Sequence, residues 1–200
     1  MLSSIRPAIS LVALFTILTG LAYPLAITGI AQIAMPLMAN GSIAENDGKP
    51  VGSHLIGQNF ADAKYFHARP SATSATDPND STKTVDAPYN AANSSGSNLG
   101  PLSQKLVDRV KGDIDALRAE GVQGAVPADS VTTSASGLDP HISPENAALQ
   151  IARVAQARGL QPAKLSALVD SKTEQRTLGL FGEPRVNVLA LNLALDRLSP

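Results

Sequence analysis

The chain has 200 residues, no cysteine, no tryptophan and a formal charge of −1. Without cysteine, thiolate catalysis, zinc–thiolate sites and disulfide staples are excluded. No charged residue stands between Arg6 and Glu45, and the chain from Glu45 onward carries 15 basic and 17 acidic residues, a net charge of −2 (15 − 17). Both signs are interspersed there without a basic run, so no nucleic-acid partner is expected.

The first element is a long apolar helix. Residues 7–39 would rise about 50 Å as a helix, against a hydrocarbon core of about 30 Å. That is one span with length left over for tilt or projection. Pro24 is positioned to kink it, and Pro36 followed by Asn40, Gly41 and Ser42 marks its end. The expected division is a short N-terminal tail (1–6), a transmembrane helix extending beyond the bilayer (7–39) and a soluble domain (40–200). Arg6 lies before the span and Lys49 is the first basic residue after it. The positive-inside rule then puts the N-terminus in the cytoplasm and the domain outside. The competing reading is a signal peptide, with Met1–Arg6 as its charged region and Leu11–Ala22 as its apolar core. The apolar stretch continues far past Ala22, which favours a retained anchor in membrane lipid. Thr16, Gly20, Pro24, Thr28 and Gln32 recur at four-residue spacing. Small and polar residues so placed let helices approach and hydrogen-bond, making these five the candidate packing positions. Chance spacing in a helix rich in alanine and glycine is the plainer alternative.

Beyond the anchor, Val51–Phe60 reads as a short strand between turns. Residues 67–101 are rich in Ser, Asn, Ala, Asp and Pro and read as a loop or a disordered linker; a structureless loop so long inside a compact domain is unusual and often functional. Leu102, Leu106, Val110, Ile114 and Leu117 recur every three or four residues and predict a helix over 103–119, stopped by Gly121. A short strand is expected at 130–134. Ser143 as cap, Pro144 at the first position and Glu145 in the first turn predict a second helix, closed by Gly159. Pro162 opens a third, with Leu165, Leu168 and Val169 inward. Residues 186–198 alternate like a strand, but Asn187 as a cap and the alanine content favour a helix. The fold class is α+β with helices predominating.

Catalytic signals are sparse. His54, His67 and His141 have no metal-ligand spacing, and no GxSxG, SxxK or Walker A motif occurs. No potassium-filter segment occurs either. His141, between Asp139 and Glu145, could be oriented by a carboxylate. The plainer reading makes Asp139, His141 and Ser143 a turn and cap that organise the domain. Arg69, Tyr89, Asn90, Asn93 and Asn98, in the long polar stretch, are candidate partner contacts, because Tyr and Asn supply adaptable hydrogen bonding at interfaces. The alternative is that they satisfy the loop's own backbone.

Six stretches, taken in order, carry a resemblance. They are YPLAITGIAQIAMPLMANGS (23–42), VGSHLIGQNF (51–60), YFHARPSAT (65–73), YNAANSSGSNLGP (89–101), TTSASGLDPHISPENAALQIARVAQARG (132–159) and LGLFGEPRVNVLALNLALD (178–196). Together, behind one N-terminal anchor, they resemble the C subunit of the Kdp potassium-transporting ATPase complexes. The resemblance implies an inner-membrane assembly with a potassium-binding, channel-like A subunit and an ATP-hydrolysing P-type B subunit. It implies that the C subunit is itself neither pore nor ATPase, and binds no cofactor. ATP would be met only through the B subunit, whose ATP affinity the family is proposed to raise as a catalytic chaperone. From other classes, an exported hydrolase tethered to the membrane and a ligand-binding module remain as alternatives.

Overall fold

A computed structural model describes residues 4–198, so half of the expected tail, residues 1–3, lies outside the described residues. The chain divides into two units, Met1–Ile43 and Ala44–Pro200.

In the first unit, a run of apolar residues uncharged after Arg6 forms one helix over Ile5–Ala34, mean hydropathy 1.9, with no buried residue. It comprises α1 (Ile5–Ile17), a π-helical turn (Leu18–Ala22) and α2 (Tyr23–Ala34). Proline has no N–H, and its ring crowds the carbonyl four residues back. The wide turn lies immediately before Pro24, with the Tyr23 N–H bonded to the Leu18 carbonyl, five residues back. Proline's effect is thus absorbed as a wide turn. The helix ends earlier than 39. Met35 leaves the helical region at φ −148°, as residues before proline do, and Pro36 opens a single turn, α3 (Pro36–Ala39). Gln32 and Asn40 exchange both amide hydrogen bonds, at 3.2 and 3.1 Å.

At the start of the second unit, β1 (Ile43–Asn46), whose first residue is the last of the first unit, pairs with β2 (Lys49–Ser53) in a hairpin. The strand expected over Val51–Phe60 is therefore confined to its first three residues. Past Ser53 the backbone turns, and the Gly57 N–H donates to the Leu138 carbonyl (2.8 Å) rather than to a neighbouring strand. The expected loop at 67–101 contains an antiparallel hairpin, β3 (Ser74–Asp77) and β4 (Asp80–Asp86). β4 is exposed over nearly its whole length, so its residues show no apolar alternation.

Then come α4 (Gln104–Ala119), with Ser103 at the N-cap position but making no side-chain capping bond, and a 3₁₀ turn at Ala128–Ser130. No strand forms at 130–134. The Ser130 hydroxyl donates to the Pro127 carbonyl (2.6 Å) and the Thr132 hydroxyl to the Ala128 carbonyl (2.7 Å), so local bonds replace a ladder. The rest of the chain supplies β5 (His141–Ile142), α5 (Pro144–Arg158), α6 (Pro162–Lys172), β6 (Thr173–Glu174), β7 (Arg185–Asn187) and α7 (Val188–Asp196). The last helix is capped by the Asn187 side chain, which accepts from the Ala190 N–H. The three strands form an antiparallel sheet in the order β5-β7-β6. Its core joins Val154, Leu165, Val169, Val186, Leu191 and Leu195 around a fully buried Phe66. With α4 present but without a single buried residue, the weight of the domain rests on α5, α6, α7 and this small sheet, an α+β arrangement.

Candidate functional site

The extended segment Tyr65–Pro70 is the scaffold of the site. It has no strand neighbour, so its backbone groups need other partners. Two helix side chains supply them. The Asn192 amide of α7 accepts from the Phe66 N–H and donates to the Phe66 carbonyl, both at 2.9 Å. The Gln150 amide of α5 accepts from the His67 N–H (2.7 Å) and donates to the His67 carbonyl (3.1 Å). Arg153 adds bonds to the carbonyls of Ala63 and Tyr65. These pins fix where Arg69 leaves the segment.

The Arg69 guanidinium meets Asp139 at 2.9 Å. The Asp139 carboxylate also accepts from the His141 backbone N–H (3.0 Å), and its oxygen stands 3.6 Å from the His141 Nδ1. Burial alone would push the Asp139 carboxyl up. Hydrogen bonds from His141 and the Arg69 charge outweigh it and hold the group below the usual range. The Arg69 Nε is buried without a hydrogen-bond partner.

Ser143 caps α5 by accepting from the Asn146 N–H (3.0 Å). Its own hydroxyl donates to Asp129 (2.8 Å), whose carboxylate also accepts from the Ser143 N–H and the Asn146 amide. Asp129, brought in by the 3₁₀ turn, thus faces the helix N-terminus. With Arg69, Asp139, His141, Glu145 and the 183–185 segment it lines an open cleft of about 800 Å³. A hydrolase would need a free nucleophile beside His141, and the Ser143 hydroxyl is bonded to Asp129 instead. Among the described residues no three metal-ligating side chains converge.

The other expected contact residues lie in the long loop. The Tyr89 hydroxyl donates to the Arg69 carbonyl (2.7 Å), and burial pushes its phenol up. Asn90 and Asn93 both donate to the Ser74 carbonyl, at 2.8 and 3.0 Å. Asn98 is exposed with φ +49°. Arg69 and Tyr89 therefore meet near Asp139 and His141, whereas Asn90 and Asn93 hold the base of the β3–β4 hairpin. In the anchor, Thr16, Gly20, Pro24, Thr28 and Gln32 are all exposed along the apolar helix. Sequence reasoning passed over Asp129, Asn146, Gln150 and Asn192. Inward-facing polar residues on otherwise apolar helices, as at Asn192, were the available signal.

Half-buried His67 gives the site a pH dependence. Burial, together with the nearby Arg153 charge, lowers its pKa below the ordinary 6.5. Below that value the unfolded chain binds more protons than the folded one, so stability present above pH 6.5 is lost as pH falls toward the folded pKa. Asp139, with a lowered carboxyl, adds its loss only below its ordinary 3.8. Thermal unfolding in detergent should show a midpoint falling between about pH 7 and 5, and His67→Gln should flatten that slope. An unchanged slope in the variant would remove His67 as its source.

Comparison with known proteins covers the same span. The family model described as KdpC, K+-transporting ATPase, c chain, matches residues 5–197. A "Potassium-transporting ATPase KdpC subunit" of Bradyrhizobium diazoefficiens is 65% identical over 197 residues, 98% of each chain. Proteins of the same name from Rhodopseudomonas palustris, 63% identical over 98% of each chain, and Methylobacterium nodulans, 60% identical over 100% of this chain and 99% of that one, align as fully. A collinear match from the apolar helix through α7 makes this chain a member of the KdpC family of potassium-transporting ATPase subunits.

Proposed function

We propose that this chain is the non-pore accessory subunit of an ATP-driven potassium-uptake complex, held among a channel-like A subunit and a P-type B subunit. The observation that carries the reading is the family match over residues 5–197 together with a 30-residue apolar helix that has no buried residue. An apolar surface of that length fits lipid and neighbouring transmembrane helices. Arg6 before the helix and the first basic residue, Lys49, after it support an N-terminus in the cytoplasm and a domain outside the inner membrane. In that orientation the domain serves assembly or stabilisation on the outer side. A catalytic-chaperone effect on the ATP affinity of the B subunit would then be transmitted through the helix, which requires an element with two states.

The test is recovery of tagged full-length chain from gently solubilised membranes of potassium-starved cells. A channel-like subunit and a P-type ATPase, with potassium-stimulated ATP hydrolysis, should come with it. Recovery of the chain alone, where both other subunits are shown to be intact, would overturn the reading.

A further inference from the structure

The connection between β6 and β7 stands away from the domain, with every residue from Glu174 to Glu183 exposed. Its tip carries Leu178, Leu180 and Phe181, exposed at 83%, 75% and 65%. The tip is nevertheless ordered by its own bonds. Thr177 and Phe181 exchange both backbone hydrogen bonds, at 2.9 and 3.0 Å, and the Gly179 N–H donates to the Arg176 carbonyl (3.0 Å). Two ion pairs, Arg176–Glu183 and Arg185–Glu174, join its legs. Leu178 adopts φ +55°, a left-handed conformation that disfavours any residue with a Cβ. Backbone strain and apolar exposure therefore coincide at one leucine, and both are unfavourable for the isolated domain.

One leg of this hairpin, residues 183–185, forms a wall of the cleft beside Arg69 and Asp139. Glu183, Pro184 and Arg185 face Pro127, Asp129, Asp139, Ser143 and Glu145. Four carboxylates and two guanidinium groups line it, a balance of −2 (2 − 4) with His141 neutral. Arg69 is paired with Asp139, and Arg185 with Glu174 outside the cleft. Glu183 is paired with Arg176 and Asp129 is held at the α5 N-terminus by Ser143 and Asn146, so the exposed Glu145 is the carboxylate of this lining left to face a partner.

We propose that the hairpin tip and this acidic cleft form one docking surface for a protein subunit. That subunit would offer an apolar socket to Leu178, Leu180 and Phe181, bordered by a lysine or arginine side chain that reaches Glu145. The proposal rests on the reading of the chain as a complex subunit and adds where the domain is gripped. Charge selects a protein over lipid: membrane-inserting apolar elements are flanked by basic residues free to meet lipid headgroups, whereas both arginines of this hairpin, Arg176 and Arg185, are paired with glutamates and the adjoining cleft lining is net acidic. A rigid apolar projection is also the form taken by interface anchors, which lose little freedom on binding.

The test uses the tagged full-length chain expressed with the other subunits of its complex. Wild type should recover them. Leu178→Asp with Phe181→Asp should reduce recovery at least tenfold while the chain reaches the membrane at wild-type level and melts unchanged. Glu145→Gln should reduce recovery several-fold at low salt, with the difference closing at about 1 M salt. Leu178→Gly should melt no lower than wild type and yet assemble less well. A photoreactive side chain in place of Phe181 should give an adduct with a protein subunit. Variants that recover the subunits as wild type does, or an adduct with lipid only, would overturn the docking surface and leave the subunit reading standing. Failure of the wild-type chain itself to recover any subunit would overturn both.

Discussion

Asn192→Ala is expected to destabilise the domain by about 3–5 kcal/mol, from two orphaned backbone groups at about 1–3 kcal/mol each plus the space left behind. Asn192 is only 1% exposed, and its amide is the partner of both the Phe66 N–H and the Phe66 carbonyl. Truncation removes donor and acceptor together, whereas the two backbone groups remain buried beside a phenylalanine that is itself 0% exposed. Asn192→Leu fills the space and should still be severe, because the main chain cannot be mutated to match. Asn192→Asp should fail as well, since it keeps an acceptor but loses the donor and buries a charge. The loss is a large part of a domain's usual 5–15 kcal/mol, so denaturant unfolding would register it directly. A midpoint indistinguishable from wild type for Asn192→Ala would mean that the Phe66 backbone has another partner.

Gly137→Ala is the second large effect, expected at about 3 kcal/mol or more, of which about 1–2 kcal/mol is the left-handed backbone and the rest forced displacement. Gly137 has φ +66°, and a Cβ there would lie 2.4 Å from the Thr73 Cγ2 and 2.7 Å from the Ser95 carbonyl oxygen. Thr73 is 1% exposed and its hydroxyl donates to the Ala87 carbonyl (2.6 Å). Ser95 in turn donates its N–H to the Ser136 carbonyl (3.0 Å). Neither neighbour can retreat without releasing the long loop from the 131–139 segment. Gly124→Ala is the control. Its φ is +80° but nothing lies within 4 Å of the added atom, so it should lose only the backbone portion. Limited proteolysis would separate the two: cleavage within 71–101 should rise sharply for Gly137→Ala and not for Gly124→Ala. Equal behaviour of the two variants would place the loss in the backbone conformation alone.

Legibility in the sequence tracks how local each interaction is. Helix α5 is readable from Ser143, Pro144 and Gly159, because caps and stops act within one turn. Asn187 likewise settles strand against helix at the C-terminus, where the alternating leucines point the wrong way. The β3–β4 hairpin is not readable, since both strands are solvated and no apolar alternation marks them. The strand expected at 130–134 gives way to Ser and Thr side chains bonding their own backbone. Arg69 is expected from the sequence only as a candidate partner contact, and its meeting with Asp139, 70 residues later, leaves no mark on neighbouring residues. The same holds for Asn192 and Gln150, whose partners are peptide groups 126 and 83 residues away. A polar residue at an inward helical position shows that something must be satisfied there, without showing what.

The wide turn before Pro24 has a consequence for helical phase. In a regular α-helix, successive residues advance about 100°, so Pro24 would fall about 80° round from Thr16. A turn closed by a bond to the fifth residue back holds about one residue more, which reduces the eight steps to about seven and the offset to about 20° of opposite sign. Thr16, Gly20 and Pro24 are thereby drawn toward a common meridian, while the steps onward to Thr28 and Gln32 resume the ordinary precession. The proline that cannot join the hydrogen-bond ladder thus resets the azimuth of the residues that precede it.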